Sequence, residues 1–145
     1  MPAAQEVIAD LVIGIDHVGL AVRNLDDAIE KWKTVFGAQL TSREINQEQG
    51  VEEALLRFPN NTQIQLLAAL NPQSPIGKFL EKHGEGVQQV ALQISDLADA
   101  TQRLNAAQIP TVYPAGKPGS NGSSINFIHP KYTGGVLIEL VEYSA

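Results

Sequence analysis

Cysteine is absent from the 145 residues. Disulfides and thiolate metal sites are therefore excluded, and a reducing compartment is a comfortable setting. Basic charge is scarce: ten Lys and Arg stand against sixteen Asp and Glu, for a net charge of −6 and a pI near 4.9. Nucleic acid is not an expected partner, because it needs a basic face. Any anionic ligand must be held by a few local cations against the field of the whole protein. Long apolar runs are missing too; none approaches the roughly 20 residues that a bilayer span requires. The N-terminus shows no basic stretch followed by an apolar one. A cytoplasmic protein without a membrane partner is the expectation.

What is present is an ordinary globular composition, 43% hydrophobic and 18% charged. The length suits a single domain, 1–145, with a substantial core. The informative feature is internal repetition, which decides architecture before any local reading does. His17-Val18-Gly19-Leu20-Ala21-Val22 falls on Gln89-Val90-Ala91-Leu92-Gln93-Ile94 at a shift of 72 positions. The match runs on, with Leu25, Asp27 and Ala28 recurring as Leu97, Asp99 and Ala100. Further along, Ile64-Gln65-Leu66 resembles Ile138-Glu139-Leu140 at a shift of 74.

Read in order, each half spells β-α-β-β-β. Val12 to Val22 is a strand, and Asn24 caps a helix whose apolar face is Leu25, Ala28, Ile29, Trp32, Val35 and Phe36, ended by Gly37. Strands follow at 39–45, 51–58 and 62–70, the last two separated by Pro59-Asn60-Asn61. A connector, 71–86, holds a short helix from Ile76 to His83. The second half has a strand at 87–94, then a helix capped by Asp96 with Leu97, Ala100, Leu104 and Ala107 inward. Strands at 109–113, 123–128 and 135–142 complete it. The first module is thus 13–70 and the second 87–143, preceded by an N-terminal extension. One such half cannot bury both its sheet and its helix. The expected fold is α+β, with two βαβββ modules forming a curved mixed sheet around a trough.

Four polar residues, His17, Gln65, Gln89 and Glu139, hold matched places in the two halves. A histidine on a strand is commonly just a hydrogen-bonded residue, and a strand glutamine is commonly surface. Together, though, an imidazole, a carboxylate and two amide oxygens suit an octahedral mid-series divalent ion. Glu53 is the other carboxylate of interest, on the face opposite to that of Glu52. Solvated strand residue is its ordinary reading. Its chemical reading is a general base that takes a proton beside a metal-polarised carbonyl, the metal acting as Lewis acid toward the enolate. The loop 116–124 is rich in Gly and Ser and carries Lys117, Ser123 and Ser124, with Lys131 beyond it. It reads either as a flexible surface loop or as backbone and ammonium contact for a long anionic ligand. His83 and His129 lie outside the repeated register and are expected to be structural or surface residues rather than ligands.

These residues resemble a known family. The duplicated pattern resembles the vicinal oxygen chelate (glyoxalase-like) superfamily, which includes glyoxalase I, extradiol dioxygenases and antibiotic-sequestering proteins. Within it the chain resembles the methylmalonyl-CoA epimerases. The resemblance rests on Ile15-Asp16-His17-Val18-Gly19, Glu48-Gln49-Gly50-Val51, Ile64-Gln65-Leu66-Leu67 and Gly84-Glu85-Gly86-Val87. It rests further on Ile125-Asn126-Phe127-Ile128-His129-Pro130-Lys131 and Gly135-Val136-Leu137-Ile138-Glu139-Leu140, covering about residues 13–143.

The resemblance implies that His17, Gln65 and Glu139 ligate a divalent ion, cobalt first, with manganese, nickel or zinc as alternatives. It implies Glu53 as the acid–base carboxylate, a coenzyme A thioester as substrate, and a homodimer. The expected reaction is epimerisation at C2 of the methylmalonyl thioester by proton transfer, with Glu139 or a water as the second acid and no organic cofactor. Lys117, Ser123, Ser124 and Lys131 would meet the substrate. Two departures stand out. Gln88-Gln89 replaces the family's usual His-His, making Gln89 the fourth ligand and a weaker donor. Ser124 stands where a cation is common. The alternatives are a metal-free protein of the same fold that sequesters a small molecule, and a glyoxalase I-type lyase.

Overall fold

The computed structural model describes residues 6–144. The chain folds as two compact units. One is Asp16–Val90, and the other joins the N-terminal residues up to Ile15 to the chain from Ala91 onward. No described helix is long and apolar enough to cross a membrane.

The Asp16–Val90 unit takes most of β1 (Val12–Ala21), α1 (Leu25–Phe36), β2 (Gln39–Asn46), β3 (Val51–Arg57), β4 (Gln63–Ala69), α2 (Pro75–His83) and the first part of β5 (Gly86–Ile94). Strands β2, β3, β4 and β1 lie side by side in that order. β4 runs parallel to β1 and antiparallel to β3, so the sheet is mixed. Gly19 lies opposite Gln65 and Ala21 opposite Leu67, while Leu55 and Glu53 oppose Gln65 and Leu67 on the other side of β4. Because successive strand residues point to opposite faces, this register sorts the side chains. One face presents Val22, Ala54, Leu56, Ile64 and Leu66 to Leu25 and Ile29 of α1. The other carries His17, Gly19, Gln65 and Glu53, and beyond them Ala21, Val51 and Leu67 pack under Ile76 and Leu80 of α2.

Local chemistry sets the helix ends. Asn24 Oδ1 accepts the Asp27 N–H at 3.0 Å, and Gly37, at φ +72°, closes α1 in a left-handed conformation that favours glycine. The Ser74 hydroxyl accepts the Gly77 N–H at 3.1 Å to start α2 one residue earlier than expected. The apolar stripe of α1 is shorter than its sequence suggests. Val35 and Phe36 are 65% and 56% exposed, Phe36 stacking outside on Trp32 at 4.7 Å between ring centroids.

The other unit contains the end of β5, α3 (Leu97–Ala106), β6 (Lys117–Pro118), β7 (Ser124–Ile128) and β8 (Ile138–Glu142), with strands in the order β5, β8, β7, β6. Leu97, Ala100 and Leu104 of α3 pack with Ile94, Ile128, Leu140 and Leu11. Leu11 brings the described part of the N-terminal extension into this core, and Arg103 anchors it further through Asp10 at 2.7 Å.

Three expectations change here. The strand at 109–113 reduces to a single bridge, Thr111 to Ile128. Pro110 has no N–H to give a ladder. The Asn126 amide, fully buried, takes over instead, accepting the Tyr113 N–H and donating to the Tyr113 carbonyl, both at 3.1 Å. The last strand begins at Ile138 rather than Gly135, because Gly134 and Gly135 turn at φ +72° and +100°. Ala107 caps α3 and is exposed rather than inward. Replacing Asn126 with leucine should remove both bonds to Tyr113, whose carbonyl still accepts from the Thr111 hydroxyl at 2.7 Å, at a cost of about 1–3 kcal/mol. Urea unfolding should show the midpoint falling accordingly; an unchanged midpoint would mean that this amide does not hold the segment.

Candidate metal and acid–base site

Strand faces normally bury apolar side chains, yet His17, Glu53, Gln65 and Gln89 are only 3–8% exposed. Buried polar groups need partners, and the partners here orient the donors. His17 Nδ1 lies 2.7 Å from Asp16 Oδ2, and the Asp16 side chain is itself buried. A carboxylate oxygen accepts, so Nδ1 carries a proton, and in the neutral imidazole the lone pair then resides on Nε2. The backbone is fixed at the same point by Gln63, whose amide donates to the Asp16 carbonyl at 3.2 Å.

Gln65 is treated in the same way. Its Nε2 donates to Glu53 Oε2 at 2.9 Å, a buried bond across β3 and β4. Because the carboxylate cannot donate, the amide's orientation is settled, and its Oε1 is the atom presented as an acceptor. Gln89, on β5, lies against Gly19: a Cβ built there would come 2.6 Å from Gln89 Cγ. The unit thus gathers an imidazole, two amides and a carboxylate around one stretch of the β1–β4 face.

Glu139 belongs to the other unit. It is buried on β8, opposite Phe127 of β7, in the place that Gln65 holds on β4 in the repeat. Among the described residues, no three of His, Cys, Asp and Glu group as a metal site. The donors do fit a divalent ion on chemical grounds, an oriented imidazole and an oriented amide oxygen being neutral ligands of the usual kind.

The residues expected to meet substrate divide. Lys117 and Ser124 flank the β6–β7 turn, where Lys117 pairs with Ile125 and Pro118 with Ser124. Lys117 Nζ sits 5.6 Å from the Tyr113 ring centre, Ser124 is exposed, and the Ser123 hydroxyl is buried beside Gly119. Lys131 lies in a helical turn after the far end of β7, with Nζ 5.0 Å from its neighbour Tyr132, so the structure does not bring it to that turn. His83 stacks on Phe79, and His129 Nδ1 accepts the Lys131 N–H at 3.1 Å; both residues are exposed. Sequence reasoning passed over Asp16 and Gly19 as functional residues. The signal for Asp16 was its adjacency to His17; for Gly19 it was a glycine inside a strand.

Comparison with known proteins places this geometry in a class. Residues 16–127 match the glyoxalase/bleomycin resistance protein/dioxygenase superfamily, whose α+β fold of paired modules is the one expected from the sequence. Members of that superfamily typically bind a divalent metal. The chain is 36% identical over 139 residues to the mitochondrial methylmalonyl-CoA epimerase of Dictyostelium discoideum, covering 94% of this chain and 82% of that one. The crystal structure of methylmalonyl-CoA epimerase from Mycobacterium tuberculosis is 50% identical, with a TM-score of 0.90 over 93% of this chain and 91% of that one. A methylmalonyl-CoA epimerase in complex with methylmalonyl-CoA and NH4+ is 36% identical, with a TM-score of 0.87 over 93% and 96%. The chain belongs to the methylmalonyl-CoA epimerase family of that superfamily.

The Asp16 contact is open to direct measurement. The 15N shifts of His17 should report the Nδ1–H tautomer, and Asp16→Ala should shift the ring toward Nε2–H, the form favoured without a carboxylate partner. Identical shifts in the two proteins would remove Asp16 from control of the imidazole.

Proposed function

We propose that this chain interconverts the two C2 epimers of methylmalonyl-CoA by moving one proton. The observation that carries this reading is Glu53: a buried carboxylate, fixed by Gln65 on the sheet face that also carries a buried, oriented histidine, in a member of an epimerase family. Glu53 takes the C2 proton, and the electron pair of that bond moves into the thioester carbonyl to give an enolate. Return of a proton to the opposite face yields the other epimer. Nothing is oxidised or reduced, so the reaction consumes no organic cofactor.

The Gln65 amide keeps the plane of the carboxylate fixed. His17, Gln65, Gln89 and Glu139 are the residues that would hold a divalent ion, with cobalt(II) the first candidate. Its positive charge would favour the enolate over the neutral thioester. Glu139 is also the candidate for the second acid. The thioester's coenzyme A portion is assigned to the β6–β7 turn, where Lys117 supplies positive charge. A substrate with one more methylene would be discriminated weakly, by about 10–200-fold.

Two measurements test the reading. Exchange of the C2 proton of methylmalonyl-CoA for deuterium should fall about 10²–10⁴-fold in Glu53→Gln, the range for losing an acid–base group. Exchange at the native rate would eliminate Glu53 from this role. Dialysis against chelator should abolish exchange and added cobalt(II) should restore it. Full activity in a chelated, metal-free sample would overturn the ligand assignments.

A further inference from the structure

Gly19 occupies the interior of β1, where a glycine costs the strand both entropy and a side chain to pack. Such a position needs a reason, and the backbone does not give one. Gly19 is not among the residues with positive φ, so an L side chain could adopt its conformation. Nor does the repeat call for glycine, since its counterpart on β5 is Ala91. The reason lies in Gln89. A Cβ at residue 19 would meet three consecutive atoms of that side chain: Cγ at 2.6 Å, Cδ at 3.1 Å and Nε2 at 3.2 Å. The first distance is shorter than any real carbon contact, so the glutamine would have to swing away, carrying its amide with it.

We propose that Gly19 is a positioning residue for Gln89: the missing Cβ is the space in which the Gln89 side chain lies, and it fixes where that amide is presented. The fixed amide serves the ion-binding role assigned to Gln89 above, and to that extent the inference rests on the proposed function. The steric pairing itself does not. The contact is with the aliphatic stem of the side chain as well as with its tip. A rotation of the terminal amide alone would not relieve it; the whole side chain must leave its rotamer. Gln89 is buried, so there is no adjacent solvent into which it could move without loss.

A double-mutant cycle on the whole chain separates the two levels. Gly19→Ala in a strand with room for it should raise the thermal midpoint by about 2–4 °C through the entropy of the unfolded chain. We expect that rise only in the Gln89→Ala background, and a fall of at least the same size when Gln89 is present. Equal shifts in the two backgrounds would overturn the pairing. The same four proteins are then titrated with cobalt(II) alone, by calorimetry. Gly19→Ala and Gln89→Ala should each weaken binding about tenfold, and the double variant should bind no more weakly than Gln89→Ala. Native affinity in Gly19→Ala, or losses that multiply, would refute the positioning role. Native affinity in Gln89→Ala would instead refute Gln89 as a ligand in the proposed function, leaving the pairing to be judged on the thermal cycle.

Discussion

A carboxylate and an imidazole on the inner face of a sheet have to be met by partners, or the face cannot be buried. Everything at this site follows from how the chain meets that demand. Glu53 is met by Gln65 across β3 and β4, and His17 by its own neighbour Asp16. Each bond satisfies a buried group and, in the same act, decides which atom of the acceptor pair is turned inward. The cost of keeping polar groups out of water is thereby offset by bonds that also set the chemistry. Just beyond, the same face becomes apolar, with Ala21, Val51 and Leu67 closed over by Ile76 and Leu80. That packing makes the strands rigid where the polar side chains stand.

The duplication supplies the scaffold, but the two copies have not kept the same chemistry. His17 answers to Gln89, and Gln65 to Glu139, so one repeated place carries an imidazole and an amide and the other an amide and a carboxylate. The copies differ in structure too. The first half builds its full complement of strands. The second shortens its counterpart of β2 to Lys117–Pro118, and holds the segment before it by a single bridge and the buried Asn126 amide. Within a fixed strand plan, exchanging imidazole for amide or amide for carboxylate changes ligand strength and charge while leaving the backbone alone. It changes the space required as well, and the bare Gly19 beside Gln89 is the local consequence.

Much was legible in the chain itself, for identifiable reasons. Helix ends are written in single residues, and Asn24, Gly37 and Asp96 act where they stand. The internal repeat is legible at fixed shifts along the chain, which is why the matched positions of His17, Gln65, Gln89 and Glu139 stand out in the sequence, and all four are buried. Boundaries that depend on proline or glycine were harder. Pro110 and the Gly134-Gly135 turn each shorten a segment whose apolar pattern continues through them.

Local and periodic information thus determined the order of the elements, the repeat, the buried faces and the family resemblance, because each depends only on residues near in sequence or at fixed spacing. Which atom meets which was decided by tertiary structure alone. That Gln65 turns its amide nitrogen to Glu53, or that Gln89 lies across Gly19, depends on strands remote in sequence being brought into one register. No spacing along the chain encodes the direction in which a side chain then points.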